Sequence, residues 1–271
     1  MSLTINTNVN SLFAQTAISN NNINQAKAME QLSTGLQINQ ASDNSAGLAV
    51  SQSMTEQING LGQSIANAND GVNMLQTADS AMSTQQQMLQ TMFTLATQSA
   101  NGTYSTAQRS YMQTEFSQLS SQITNIANQT TWNGQKLMAA SGTVTIQVGL
   151  NASSTISQTL KGLTASGLTI NAATVSSQTS ASTALGLLDT ALNTLNKQRA
   201  SVGATVNQLT YAAQNMTNVQ QNITTSRSAI TDTNYAAAST NLSRSQIIAQ
   251  AATAMLAQAN QQSQSVLTLL K

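Results

Sequence analysis

From Leu185 to Ile230 the chain keeps an unbroken 3-4 alternation of seam positions: Leu185, Leu188, Leu192, Leu195, Arg199, Val202, Val206, Leu209, Ala213, Met216, Gln220, Ile223, Arg227 and Ile230. The register holds for 46 residues. At about 1.5 Å of rise per residue, that is a helix roughly 69 Å long. Small polar residues flank the stripe, so it is narrow and the outward face is almost uncharged. A helix this long and thin cannot enclose a core alone. It must lie along other long helices, as in a coiled coil or an extended bundle. The expectation is a rod, and rods usually serve as building material.

Composition narrows the function classes. Charged residues are 6% of the chain, against about 25% in ordinary soluble domains. Hydrophobic residues are 40%, and most of the remainder is Ser, Thr, Asn and Gln. Sustained heptads argue against reading this bias as disorder. A net charge of +1 offers no basic footprint for nucleic acid and no polybasic patch for a membrane surface. The chain has no Pro, His or Cys. The commonest helix breaker, disulfides, thiolate metal sites and a Ser-His-Asp triad are therefore all excluded. No apolar run approaches membrane-spanning length, and Met1–Ile18 lacks the pattern of a cleaved general secretory leader.

A second seam is nearly as regular: Ile58, Leu61, Ile65, Ala68, Val72, Leu75, Asp79, Met82, Gln86, Leu89, Phe93 and Ala96. Its helix should stop at Asn101-Gly102. A shorter seam at Met112, Phe116, Leu119, Ile123 and Ile126 follows, with Ser105 or Thr106 as its cap. The period then changes. Thr130–Trp132 and Gln135–Met138 flank Asn133-Gly134, a two-residue hairpin signal, and Val144, Ile146 and Val148 alternate as in a strand. Asn151–Thr183 is rich in Ser and Thr with no persistent seam, and is expected to be an exposed end of the molecule. A last helix is expected from about Asn241 to Leu270, with Ile248, Ala252, Met255, Ala259, Gln262, Val266 and Leu269 on one stripe.

The first helix, about Ser2–Ser33, has sparse apolar marks at Ile5, Val9, Leu12, Phe13, Ala17, Ile23, Ala26, Met29 and Leu32, and three poor helix formers at Asn20–Asn22. Burying a large apolar side chain contributes roughly 1.5–3 kcal/mol, while ordering each backbone residue costs roughly 1–2 kcal/mol. Both terminal helices are thus expected to fray in the free chain and to fold when neighbours cover them. The middle helices have seam enough to form a bundle alone.

Two strings carry a family resemblance. Gln31–Ser51 reads QLSTGLQINQASDNSAGLAVS and Leu242–Lys271 reads LSRSQIIAQAATAMLAQANQQSQSVLTLLK. Each resembles one conserved end of bacterial flagellin. Asn67–Gly71, Gln98–Thr103 and Asn133-Gly134 follow in family order, and the resemblance covers about Ile5–Met138 and Leu185–Lys271. It implies a mainly α fold: a long antiparallel helical rod or coiled-coil bundle with a small β-hairpin region, whose terminal helices form the core of a filament. It divides the chain into 1–43 plus 230–271, the innermost domain, and 44–229, the rod, with the β region at about 130–180. Only about Ala139–Thr183 is available for the family's variable outer domains, so no separate one is expected.

The implied function is self-polymerisation into the hollow flagellar filament used for motility. The assembly core is expected at Ile5, Val9, Leu12, Phe13, Ile23, Leu32, Ile248, Ala252, Met255, Ala259, Val266 and Leu269. The rod seam is expected at Leu61, Ile65, Val72, Leu75, Leu89, Leu188, Leu192, Leu195, Val202, Val206 and Leu209. Partners implied by the resemblance are the chain itself, an export chaperone at Leu242–Lys271, and the filament cap and hook-junction proteins. It also implies export by the flagellar type III apparatus with no cleaved signal, an extracellular location, and no cofactor, nucleic-acid or membrane partner. The alternative within the same inner architecture is a hook–filament junction protein. A secreted enzyme or binding protein on a stalk is disfavoured, because about 45 residues without His or Cys are too few to house an active site.

Departures from the family pattern matter as well. Gln31 and Gln37 stand where relatives often carry Arg, and Asn44 where many have a second Asp, so ion pairs there should be fewer. The stretch by which many relatives engage the vertebrate Toll-like flagellin receptor resembles LQRVRELAVQ, whereas Leu89–Gln98 reads LQTMFTLATQ. Leu89, Gln90, Leu95, Gln98 and, further on, Glu115 remain. Thr91 and Phe93 replace two Arg and Thr94 replaces Glu, so activation should be weak or absent. Asp79 on one seam and Arg199 and Arg227 on the other are candidates for buried pairs across helices. No base, nucleophile and orienting group converge, so no catalysis is expected. The 11 Met residues read as adaptable packing, and Trp132 as an anchor for the hairpin.

Overall fold

A computed structural model describes residues 7–269, and the side chains of residues 7–261. Nine elements follow in order: α1 (Val9–Thr34), α2 (Ser45–Ala100), α3 (Thr106–Gln129), β1 (Thr131–Trp132), β2 (Gln135–Lys136), β3 (Gly142–Gln147), β4 (Thr155–Leu160), α4 (Gln178–Thr231) and α5 (Tyr235–Leu269). The chain divides into two compact units, one of residues 57–221 and one of residues 1–56 with 222–271.

In the unit of residues 57–221, the two long seams of the sequence are antiparallel partners. Arg199 meets Asp79 at 2.8 Å, and the Gln220 amide donates to the Ile58 carbonyl at 3.0 Å. That register sets Leu61 level with Met216, Ala68 with Leu209, Leu75 with Val202, Met82 with Leu195, Leu89 with Leu188 and Ala96 with Ala181. All twelve are buried, which is why the heptad never slips: each layer is filled from both sides. Of the remaining seam residues, Ile65, Val72, Leu192 and Val206 are half-buried.

The Asp79–Arg199 pair forms, but it is not buried: its side chains are 41% and 31% exposed. It sits at the flank of the seam, with Arg199 also donating to Gln86. Arg227, in the other unit, donates to the Thr55 hydroxyl at 3.3 Å.

The buried face of α4 is also wider than the seam. Ala184, Ala191, Gln198 and Thr205 are buried beside it, on the side facing β4. Gln198 donates to the Thr159 carbonyl and Thr205 to the Gln158 side chain. α3 starts as its sequence predicts, with Ser105 and Gln108 forming a reciprocal capping box. Phe116 and Ile123 on α3 are fully buried. Arg109 closes the end of α2 by donating to the carbonyls of Ser99 and Asn101. The hairpin β1–β2 turns through Asn133 (φ 47°) and Gly134 (φ 79°), the paired positive φ values that a tight two-residue hairpin turn requires.

The stretch 151–183 is not the exposed end expected. β4 pairs antiparallel with β3, with Ile146 opposite Ile156, and its inner face is Ile156, Gln158 and Leu160. Leu163, Leu168, Ile170 and Val175 are then buried one after another. Gln85 ties this segment down by donating to the carbonyls of Leu163 and Ile123, each at 3.0 Å. Its Ser and Thr hydroxyls face outward and its sparse apolar residues face inward.

In the unit of residues 1–56 with 222–271, α1 and α5 form an antiparallel pair. Asn8 caps α1 by accepting from the Ser11 N–H. Gly35, at φ 74°, ends the helix, with its N–H on the Gln31 carbonyl. The positive φ favours glycine there, and the Tyr235 hydroxyl lies 3.0 Å from where a Cβ on Gly35 would stand. The turn out of α1 is clasped to the turn between α4 and α5: Gln37 N–H donates to the Thr231 carbonyl at 2.7 Å and Thr233 N–H to the Gly35 carbonyl at 2.9 Å.

A candidate assembly surface on the terminal helices

The α1–α5 pair is built from small and polar side chains with four larger apolar ones, Ile18, Leu32, Leu242 and Leu256, set among them. On α1 the inner face repeats as Ser11, Ala14, Ile18, Asn21, Gln25, Ala28 and Leu32; on α5 it repeats as Ala238, Leu242, Ser245, Ala249, Ala252, Leu256 and Ala259. Both rows keep the 3-4 spacing of a coiled-coil seam. Asn21, Ala28, Ala238 and Ser245 are buried and the others are half-buried. The Asn21 amide donates to the Ser245 carbonyl at 2.8 Å, and the Asn8 amide donates to the Ala259 carbonyl at 3.1 Å. Small residues let the backbones approach, and Cα atoms of the two helices come within 8 Å.

Eight other large apolar residues of these helices point the other way. Val9 (48% exposed), Leu12 (60%), Phe13 (71%), Ile23 (64%) and Met29 (54%) lie open on α1, and Ile247 (66%), Ile248 (43%) and Met255 (66%) on α5. A helix in a finished globule shows the reverse pattern, with large apolar side chains inward. Among the expected assembly residues, Leu32, Ala252 and Ala259 are half-buried in the pair. Ile5 lies outside the described residues, as do the side chains of Val266 and Leu269. The expected stripes thus share Leu32, Ala252 and Ala259 with the inner face, while Asn21, Ala28, Ala238 and Ser245, its buried positions, carry no hydropathy signal and are marked only by heptad spacing.

The turn between α1 and α2 is held by charge. Lys27 meets Asp43 at 2.8 Å, with the Asp43 side chain only 9% exposed. The second Asp43 oxygen accepts from the N–H groups of Asn39 and Gln40. The Lys27 hydrogen bond, then that of Asn39, holds the Asp43 carboxyl below its ordinary range.

The remaining expected residues sit in the unit of residues 57–221. In the receptor-like stretch Leu89 is buried and Leu95 half-buried, while Gln90, Thr91, Phe93, Thr94, Gln98 and Glu115 are exposed. The Thr91 and Thr94 hydroxyls donate to carbonyls of their own helix, and Gln98 donates to the Tyr104 hydroxyl. An open cleft of about 770 Å³ between α2 and β1 is lined by Asn73, Gln76, Thr77, Ser80, Thr84, Gln129 and Trp132, among others. Its lining carries amides, hydroxyls and one indole, with no general base or activated nucleophile. No group of metal-ligating side chains occurs among the described residues, and no described helix is long and apolar enough to cross a membrane.

Two family models match the chain: the bacterial flagellin N-terminal helical region over residues 5–143 and the C-terminal helical region over residues 185–270. A flagellar filament 33 kDa core protein of Treponema phagedenis is 36% identical over 98% of this chain and 99% of its own. A flagellin of Halalkalibacterium halodurans is 37% identical over 92% and 93% of the two chains. Among solved structures, one described as a flagellar hook-associated protein from Vibrio parahaemolyticus has a TM-score of 0.60 at 13% identity. It covers 70% of this chain and all of that one, a likeness of fold alone.

Proposed function

The chain belongs to the bacterial flagellin family, and we propose from that premise that its apolar outer face on α1 and α5 is the surface by which subunits build the flagellar filament. The chain is a structural subunit that self-polymerises, and motility is the use of the polymer. The observation carrying this reading is the inverted pair. Mostly small side chains are spent on the contact within the chain, and Leu12, Phe13, Ile23 and Met255 are left outward. Covering them with the same helices of neighbouring copies couples the final ordering of the termini to binding.

In this reading residues 1–43 and 230–271 form the innermost domain, and 44–229 the surrounding rod with no separate outer domain. The rod seam holds the subunit as a preformed piece, while the terminal helices supply the energy of assembly. The protein acts outside the cell, after passage through the flagellar type III apparatus, and catalyses nothing. An export chaperone takes the apolar face of α5 at about Leu242–Lys271 before assembly, and cap and hook-junction proteins meet the filament at its ends. Loss of two Arg and one Glu from Leu89–Gln98 leaves the Toll-like flagellin receptor weakly activated or silent.

The test is assembly of the full chain against a chain lacking residues 1–33 and 242–271, seeded and viewed by electron microscopy. Long filaments from the full chain alone are the expected result. A full chain that stays short and soluble under all seeding conditions would move the junction-protein role to first place. Receptor signalling equal to that of a strong agonist flagellin, in reporter cells, would overturn the receptor statement.

A further inference from the structure

Asn133-Gly134 is one of three Asn-Gly steps in the chain, with Asn59-Gly60 and Asn101-Gly102. At such a step the peptide nitrogen of glycine can reach the preceding side-chain amide, because no Cβ obstructs closure of the ring. The fold treats the three differently. Asn59-Gly60 lies within α2, where the Gly60 N–H belongs to the helical ladder. A Cβ on Gly60 would run into the Leu150 side chain, so this step is packed as well as helical.

Asn101 is pinned from three sides. Its side-chain oxygen accepts from the Thr103 N–H at 3.1 Å, its carbonyl accepts from Arg109 at 2.9 Å, and its own N–H donates to Gln98 at 3.2 Å. Closing a ring through its amide would break that set.

Asn133-Gly134 has none of these restraints. It is the tip of the β1–β2 hairpin, and the ladder ends below it at Trp132 and Gln135. Both residues are exposed. The Asn133 side chain has no hydrogen-bond partner among the described residues, and a Cβ on Gly134 would meet nothing within 4 Å. Asn133 is also held at φ 47°, a sparsely populated region for a residue with a side chain.

We propose that Asn133 is a site of spontaneous chemical modification in the folded protein, losing its side-chain amide to attack by the Gly134 nitrogen. The Gly134 nitrogen gives its proton to solvent base and bonds to Asn133 Cγ. The Cγ–Nδ2 bond breaks, and ammonia leaves with a proton taken back from solvent. The product is a five-membered succinimide. Water then adds to either ring carbonyl and breaks one of the two C–N bonds, giving aspartate or isoaspartate at position 133. Water is the only co-reactant, and no electrons are transferred. Either product adds a carboxylate to a chain that has eight acidic residues. Isoaspartate also adds a backbone carbon to a turn that accepts two residues of fixed hand. That change unpairs Trp132 from Gln135 and moves the only tryptophan in the chain. Subunits held in a lasting polymer would carry the change as a mark of age.

The experiment uses the full-length soluble chain, incubated in mildly alkaline buffer, sampled over time, digested and mapped by mass spectrometry at all three asparagines. The expected result is conversion at Asn133 several-fold faster than at Asn101 or Asn59. The three rates should converge in denaturant, and the emission of Trp132 should drift with the rate constant of the Asn133 conversion. In Asn133→Ser, which has no amide to lose, the drift should vanish. The proposal is overturned if Asn101 or Asn59 converts as fast as Asn133 in the folded chain. It is equally overturned if Asn133 stays intact while a free peptide of residues 130–137 converts.

Discussion

Replacing Phe13 by alanine separates the energy of assembly from the energy of folding. Phe13 is 71% exposed on α1, so truncation removes little from the free chain. Alanine is moreover the better helix former, so α1 is not weakened as a helix. In the filament that exposed fraction is to be buried by a neighbouring copy. Full burial of a large apolar side chain contributes about 1.5–3 kcal/mol, so covering 71% of it is worth about 1–2 kcal/mol per subunit. A loss of that size changes an equilibrium constant by a factor of about 5–30. The critical concentration for seeded polymerisation, measured by sedimentation, should rise by that factor in Phe13→Ala. The melting temperature of the soluble chain, followed by circular dichroism, should stay within about a degree or two of the parent, because surface truncations rarely exceed ±0.5 kcal/mol. A lowered melting temperature with an unchanged critical concentration would refute the reasoning, since Phe13 would then be serving the subunit's own core.

Leu75→Ala should do the opposite. Leu75 is fully buried in the seam beside the level of Val202, and the truncation should cost about 2–5 kcal/mol of unfolding free energy in urea melts of the soluble chain. For the half-exposed Asp79–Arg199 pair, a double-mutant cycle with Asp79→Asn and Arg199→Gln should return a coupling below about 1 kcal/mol, shrinking in high salt. Ser105→Ala, which removes half of the α3 capping box, should cost about 1 kcal/mol in the same melts. Asp43 gives a pH signature. Its folded pKa is lowered from 3.8, first by the Lys27 hydrogen bond, so its contribution is complete above that ordinary value and lost as pH falls through the lowered one. Lys27→Met should therefore lower stability at neutral pH, with the difference from the parent vanishing in strong acid, as read by thermal melts.

Legibility in the sequence followed the kind of side chain that makes each contact. The α2–α4 seam was largely readable because Leu, Ile, Val and Met recur at heptad spacing on both helices, although Phe93 is exposed and Met74, Ala78, Gln85 and Met92 are buried beside the seam; antiparallel register follows once Asp79 meets Arg199. Ser105–Gln108 and Asn133-Gly134 were readable because caps and tight turns impose local chemistry. β4 was not. Its inward row is Ile156, Gln158 and Leu160, and a glutamine in the middle breaks the apolar alternation. Gln158 is buried only because Thr205 and Ser201 satisfy it, and those partners lie more than 40 residues away in sequence. The following stretch holds its buried residues at irregular spacing, from Leu163 to Val175, fixed by Gln85 and Ser99 reaching across from α2.

The α1–α5 face was hidden for a different reason, and that reason bears on function. Hydropathy ranks Leu12, Phe13 and Ile23 above Ala14, Asn21 and Ala28, yet the second set makes the contact within the chain. Two helices joined mainly through Ala, Ser and Asn, with only four larger apolar residues among them, gain little from burial per residue, but they lie close, and the Asn21 and Asn8 amides give the contact polar direction. Such a pair is weak on its own, yet its polar contacts fix one alignment. Had the large residues been turned inward, the pair would be stable alone and would offer its neighbours only Ser, Thr and Asn. Assembly then would have to rest on polar contacts already satisfied by water, each worth only about 0.5–1.5 kcal/mol net. Stability of the subunit and strength of the polymer thus draw on the same few large side chains. In this chain α2 and α4 spend theirs on the subunit, and in the proposed assembly most of those on α1 and α5 serve the next copy.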